Sequence, residues 1–202
     1  MVMNDTITRR GLVVAAGATA LLGLLPRPAA ALDTASARAL IDMAIGDVNK
    51  VINSGKPEQA MYKDFEGIFA RYADVPAIAR SALGPAARGA SAGQMSAFTK
   101  AYQGYIGRKY GRRFREFIGG RIEVVNAKPL KSYYEVISVA HLQGEAPFDL
   151  RWHVSNKSGK DLFFNIIIEG VNMLATEREE VAALLKQRGG DIDRLVADLK
   201  TM

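Results

Sequence analysis

The chain has 202 residues, no cysteine, two histidines and a formal net charge of +6. Without cysteine there is no disulfide, no thiolate metal site and no thiol nucleophile, and His141 and His153 alone cannot build a histidine-rich metal centre. A small positive balance fits an anionic surface or an acidic partner better than nucleic acid.

The first 31 residues read as an export signal. Thr8-Arg9-Arg10-Gly11-Leu12-Val13 sets a twin arginine before a weakly apolar run, Leu12 to Leu25. Pro26-Arg27-Pro28 and then Ala29-Ala30-Ala31 follow, a small-x-small cleavage pattern. The run of 14 residues is short of the roughly 20 that cross a bilayer, so it is not an anchor. The arginine pair and the Ala/Gly/Thr-diluted core point to twin-arginine export, with an ordinary Sec signal as the alternative; both predict an extracytoplasmic protein. Cleavage after Ala31 leaves residues 32–202 as one domain. Setting aside Arg9, Arg10, Arg27 and Asp5 leaves 24 basic and 20 acidic residues in it. With no disulfide, that domain must be stable by packing alone.

Asp33-Thr34 caps a first helix through about Asn53, with Leu40, Ile41, Ala44, Val48, Val51 and Ile52 at helical spacing. Pro57 starts a second, whose stripe is Met61, Phe65, Ile68, Phe69 and Tyr72. Asp74-Val75-Pro76 opens a short third helix, closed by Gly84-Pro85. Ser91 with Gln94 is a capping box for the longest helix, about Ala92 to Ile118, which Gly119-Gly120 stops. The period then changes to two: Arg121–Lys128, Tyr133–Gln143, Phe148–Asn156 and Leu162–Glu169 read as four strands. In the third, Phe148, Leu150, Trp152 and Val154 form a dry face and Asp149, Arg151, His153 and Ser155 a wet one. The fourth is apolar on both faces, which predicts a central strand covered twice. Thr176 with Glu179 caps a further helix to about Arg188, and Asp191 a last one through Lys200. The order predicts an α+β domain: a four-stranded twisted antiparallel sheet packed against a helical layer.

Catalytic signatures are missing. The sequence holds no Gly-rich phosphate loop, no G-x-S-x-G elbow and no H-E-x-x-H. His153 reads as a solvated strand histidine. Glu169, after an apolar strand, is the one carboxylate nominated as an acid or base, against the plainer reading that it binds backbone amides or an arginine. No cofactor and no metal is expected.

The long helix carries Met95, Phe98, Tyr102, Tyr105, Ile106, Tyr110, Phe114 and Phe117, interrupted by Gly104, Gly107 and Gly111. Each interior glycine costs about 1 kcal/mol against alanine, so the line has a purpose. Close packing of the helix on the sheet is one; a groove for an acyl chain is the other. Arg108, Arg112 and Arg115 share a helix face at i, i+4 and i+7. A solvated face, an anionic lipid headgroup or an acidic protein partner each accounts for them.

Three segments in register carry a resemblance. Asp64-Phe65 through Tyr72-Ala73-Asp74-Val75-Pro76-Ala77-Ile78-Ala79-Arg80 to Leu83-Gly84 is similar to the "F…Y.D…IAR..LG" signature of MlaC-type proteins. The Phe98, Tyr102, Tyr110 helix resembles that family's aromatic helix. Ile168-Glu169-Gly170-Val171-Asn172-Met173, with Arg178 beyond it, resembles its "EGVS(L/M)" segment. The chain departs from the pattern at Ala87, Asn165, Asn172 and Glu177, where the family has tryptophan, aspartate, serine and tyrosine.

This toluene-tolerance family comprises the periplasmic phospholipid carriers of the Mla pathway. The resemblance implies a soluble shuttle that carries phospholipid between an outer-membrane lipoprotein complex and an inner-membrane ABC transporter with a ring of lipid-binding domains. A hopanoid or other apolar-lipid carrier of the same family is the alternative, followed by a small enzyme on an apolar substrate and by a docking protein with a solid core. In the carrier reading an apolar pocket lies between sheet and helices. The acyl chains meet Tyr102, Tyr105, Ile106, Trp152, Phe164, Ile166, Ile168, Val171 and Met173, and Arg108, Arg112 and Arg115 meet the headgroup or a partner.

Overall fold

A computed structural model describes residues 32–113 and 117–202; the leader and the stretch of Phe114, Arg115 and Glu116 lie outside the described residues. Six helices and five strands follow in the order α1 (Thr34–Ile52), α2 (Glu58–Tyr72), α3 (Val75–Leu83), a 3-10 turn (Gly84–Arg88), α4 (Ala92–Arg113), β1 (Arg121–Pro129), β2 (Tyr134–His141), β3 (Phe148–Ser155), β4 (Leu162–Ile168), β5 (Val171–Asn172), α5 (Met173–Gln187) and α6 (Ile192–Leu199). Among the described residues no helix is long and apolar enough to cross a membrane.

The helix starts are set by side chains that satisfy free backbone N–H groups. The Asp33 carboxylate accepts from the Ser36 N–H at 2.7 Å while the Ser36 hydroxyl accepts from the Asp33 N–H at 2.9 Å. Ser91 and Gln94 make the same reciprocal pair at 3.1 Å each way. Asp74 accepts from the Ala77 N–H, and Asp191 from Asp193 and Arg194. The fifth helix departs from the expected start. Asn172, not Thr176, is its cap, accepting from the Ala175 N–H at 3.1 Å, and Thr176 instead donates back to the Asn172 carbonyl. A cap earlier in the chain brings Met173 and Leu174 into the helix.

The strands form an antiparallel meander in the order β1-β2-β3-β4-β5. Its inner face carries Ile122, Val136, Ser138, Ala140, Leu150, Trp152, Val154 and Phe163, all buried. Ser138 is the polar exception. Its hydroxyl accepts the Trp152 indole N–H at 2.8 Å, so the ring is buried without an orphaned donor.

Two strand expectations are corrected. The β4 strand is not central; it lies next to the end of the sheet. Its outer edge is nevertheless covered, in two pieces. Its C-terminal half pairs with β5, and the Phe163 carbonyl accepts the Asp74 N–H at 2.8 Å from the α2–α3 junction. The wet face of β3 is also drier than its pattern, because His153 and Ser155 are buried. The Tyr133 ring lies 4.6 Å from the His153 ring, and Phe164, set off by a bulge between His153 and Val154, lies 5.8 Å from it.

The glycine line packs α4 against another helix, not against the sheet. A Cβ on Gly107 would stand 2.9 Å from the Glu66 Cβ and 3.2 Å from its Cα, and one on Gly111 would stand 2.6 Å from the Tyr62 ring. Missing side chains therefore let α2 approach α4. Gly67, on α2, has nothing within 4 Å of where its Cβ would stand. Gly67→Ala should accordingly stabilise by about 1 kcal/mol from helix propensity alone. Gly107→Ala should destabilise by about 1 kcal/mol, since an overpacking cost of roughly 1–3 kcal/mol outweighs the same gain. Urea denaturation of both variants checks the pair; equal shifts would refute the close approach.

Candidate functional site

Between the sheet and the helices lies a cavity of about 160 Å³. Ala44 and Val48 of α1, Phe65, Ile68 and Phe69 of α2, Ile78 of α3 and Tyr102, Ile106, Gly107 and Tyr110 of α4 form its helical walls. Trp152 of β3, Phe163 through Ile166 and Ile168 of β4, and Met173, Leu174 and Glu177 of α5 close it. A space of that order with aliphatic and aromatic walls suits an apolar guest.

Of the residues expected to meet acyl chains, Tyr102, Ile106, Trp152, Phe164, Ile166, Ile168 and Met173 line this cavity. Tyr105 is buried but turned elsewhere, its hydroxyl reaching Glu180 at 3.4 Å. Val171, in β5, is 53% exposed and does not line the wall. Arg108 and Arg112 lie toward the C-terminus of the chain: their guanidinium groups donate to the carbonyls of Leu199 at 2.6 Å and Met202 at 3.4 Å. They thereby hold α6 and its tail against α4, where a cation also suits the helix C-terminus. Arg115 lies outside the described residues. Glu169 is exposed, in a left-handed turn with Gly170.

One polar patch interrupts the apolar wall. Glu177 is buried, and its Oε1 accepts from the Tyr110 hydroxyl at 2.5 Å and from the Lys109 ammonium at 2.7 Å. Lys109 also donates to Glu180, which is partly exposed, so the lysine bridges two carboxylates one turn apart on α5. Burial works to lower the Lys109 ammonium, but the two carboxylates together outweigh it and raise it above the usual lysine value. Burial first, and the Glu177 charge second, push the Tyr110 and Tyr102 phenols up, so both stay protonated. Sequence reasoning misses Glu177. The signal is there, however: with Leu174, Val181 and Leu184 it sits on the buried stripe of α5, where a carboxylate is out of place.

A second polar cluster lies across the sheet. His153 Nε2 is 3.6 Å from Glu135 Oε2, its Nδ1 3.5 Å from Asn165 Nδ2, and Lys128 holds the other Glu135 oxygen at 3.0 Å. Burial lowers the His153 pKa from its ordinary 6.5, with Glu135 opposing. The folded protein thus resists a proton that the unfolded chain accepts. Its contribution is complete above the unfolded pKa and is lost as pH falls toward the depressed folded value. Stability should decline as pH drops below about 6.5, and His153→Gln should flatten that part of the profile. Urea midpoints taken across that range, on both sides of the ordinary histidine value, test this; identical slopes would remove His153 from the account.

A solved structure with a similar fold is that of a phospholipid-binding protein from Ralstonia solanacearum, determined in complex with a phospholipid. The two superpose with a TM-score of 0.69 at 20% identity, over 82% of this chain and 95% of the other. The family model described as MlaC protein matches residues 42–201. That match takes in every helix but the start of α1, the whole sheet and the cavity between them, and the chain belongs to the MlaC family.

Proposed function

We propose that this protein is a soluble periplasmic lipid carrier that takes phospholipid acyl chains into the cavity between α1, α2, α4, α5 and the sheet, and shuttles lipid between an outer-membrane complex and an inner-membrane ABC transporter. The observation that carries this reading is the cavity itself, walled by aliphatic and aromatic side chains in a fold shared with a protein that binds phospholipid. Burying acyl chains is worth ~0.8 kcal/mol per CH₂ against water. A bilayer offers the same chains nearly the same stabilisation. Such a carrier holds lipid in water yet exchanges it almost isoenergetically at a membrane complex, and direction comes from its partners. Glu169, the carboxylate nominated for acid or base chemistry, is exposed in its turn and does not line the cavity.

Native mass spectrometry of the protein purified from the periplasm without detergent, followed by lipid extraction, tests the reading. One diacyl phospholipid per chain is the expected result. A protein that stays lipid-free after incubation with phospholipid vesicles would overturn it.

A further inference from the structure

The start of α5 is capped from two sides. Asn172 accepts the Ala175 N–H, and Asn165, from the neighbouring strand β4, accepts the Leu174 N–H through its Oδ1 at 3.1 Å. Asn165, Met173 and Leu174 all line the cavity, so this bond joins two pieces of its wall. A backbone N–H can only donate, which fixes the oxygen end of the Asn165 amide. The amide nitrogen is then the end that lies 3.5 Å from His153 Nδ1. That nitrogen also only donates, so Nδ1 is the bare acceptor of a neutral ring. The ring proton sits on Nε2, 3.6 Å from Glu135 Oε2.

We infer that His153 is a pH sensor for the cavity: a proton on Nδ1 sets the ring against the Asn165 amide, frees the first turn of α5 and releases the lipid. The inference rests on the carrier reading and names a regulation of that same site. A charged ring turns an N–H toward an amide that also offers N–H, and two donors share no bond. Turning the amide over satisfies the ring but brings the amide nitrogen to the Leu174 N–H, which moves the conflict one bond along. Both arrangements cost α5 a cap, in the turn that carries Met173 and Leu174 into the wall. The groups that face His153 are Glu135 of β2 with Lys128 of β1 behind it, Tyr133 before β2, and Phe164 and Asn165 of β4. Arg151, on the same face of its own strand, is paired with Asp149. Glu135 favours a charged ring, but Lys128 holds its other oxygen at 3.0 Å, and burial prevails to lower the His153 pKa.

The test loads the full chain, exported and purified, with distearoyl phosphatidylglycerol and then adds an excess of phosphatidylcholine vesicles. Native mass spectrometry reads the lipid retained at about pH 8 and about pH 5, on either side of the ordinary histidine value. Retention should be lower in acid by about fivefold or more. Amide hydrogen exchange should show Leu174 losing protection in acid ahead of the α4 amides, which separates local release from global unfolding. In His153→Gln the side-chain amide accepts from Asn165 and donates to Glu135 at every pH, so retention should be the same at both. Asn165→Asp keeps one oxygen for the Leu174 N–H and gives the other to the protonated ring, so it too should stop the loss; it decides alone if the first variant fails to fold. Retention that ignores pH in the unmodified protein, a loss in acid that survives either substitution, or unchanged protection at Leu174 would overturn the inference and leave the carrier reading standing. Failure to load the lipid at either pH would overturn the carrier reading itself, and this inference with it.

Discussion

Ile106→Phe should leave the protein folded, somewhat more heat-stable, and at least tenfold poorer in bound lipid. Ile106 is buried in the middle of α4 and faces the cavity beside Tyr102 and Tyr110. Atoms that line an empty space lack contacts on one side, so filling it with an apolar ring restores dispersion without stranding a polar group. Substitutions of that kind commonly add about 0.5–2 kcal/mol, and for a domain of this length each kcal/mol moves the Tm by roughly 2–4 °C. The same ring occupies the volume an acyl chain needs. Lipid occupancy by native mass spectrometry and a thermal melt give the two readouts together. A variant with raised Tm and undiminished occupancy would place the acyl chains somewhere other than this cavity. A lowered Tm would show that the ring overpacks the site, and Ile106→Met, whose flexible unbranched chain reaches into the same space, would then take its place as the test.

The sequence shows the helices through their caps, because Asp33, Asp74, Ser91 and Asp191 announce each start by type and spacing alone. It misreads α5 where two capping patterns compete: Thr176 and Glu179 suit a capping box, yet Asn172 takes the part because β5 delivers the chain there. That shift conceals Glu177, which reads as one more acidic residue near a helix start until the helix is extended back to Met173. The cavity's sheet side is legible for a different reason. Trp152, Ile166 and Ile168 alternate in strands, and alternation fixes their face. Its other wall, made by Phe65, Ile68, Phe69, Ala44 and Val48, reads as ordinary core stripe, since periodicity says which face of a helix is buried but not whether the space beyond is filled. The basic helix shows the converse limit. Arg108 and Arg112 share a face as expected, but their acceptors are backbone carbonyls 91 and 90 residues away, which no local pattern reveals.

Lys109→Met should destabilise the protein by about 2–3 kcal/mol, the largest loss expected from one surface-reaching side chain. The reason is what it leaves behind. Glu177 has 5% of its side chain exposed, and Lys109 is the only cation within ion-pairing distance of it among the described residues. Removing one partner of a buried pair costs about 3–5 kcal/mol because the remaining charge is neither solvated nor matched. Here the lysine is 23% exposed and Tyr110 still donates to the carboxylate, which brings the expectation below that range. Glu177→Leu should cost much less, since Lys109 keeps Glu180 and reaches water. The double variant Lys109→Met/Glu177→Leu should recover most of the loss, because two apolar groups in contact replace the pair without stranding a charge. Urea denaturation of all four proteins closes the cycle, with a coupling of roughly 1–2 kcal/mol expected between the sites. Additive losses would mean that Lys109 does not act on Glu177, and would sever the electrostatic link that ties α4 to α5 across the cavity wall.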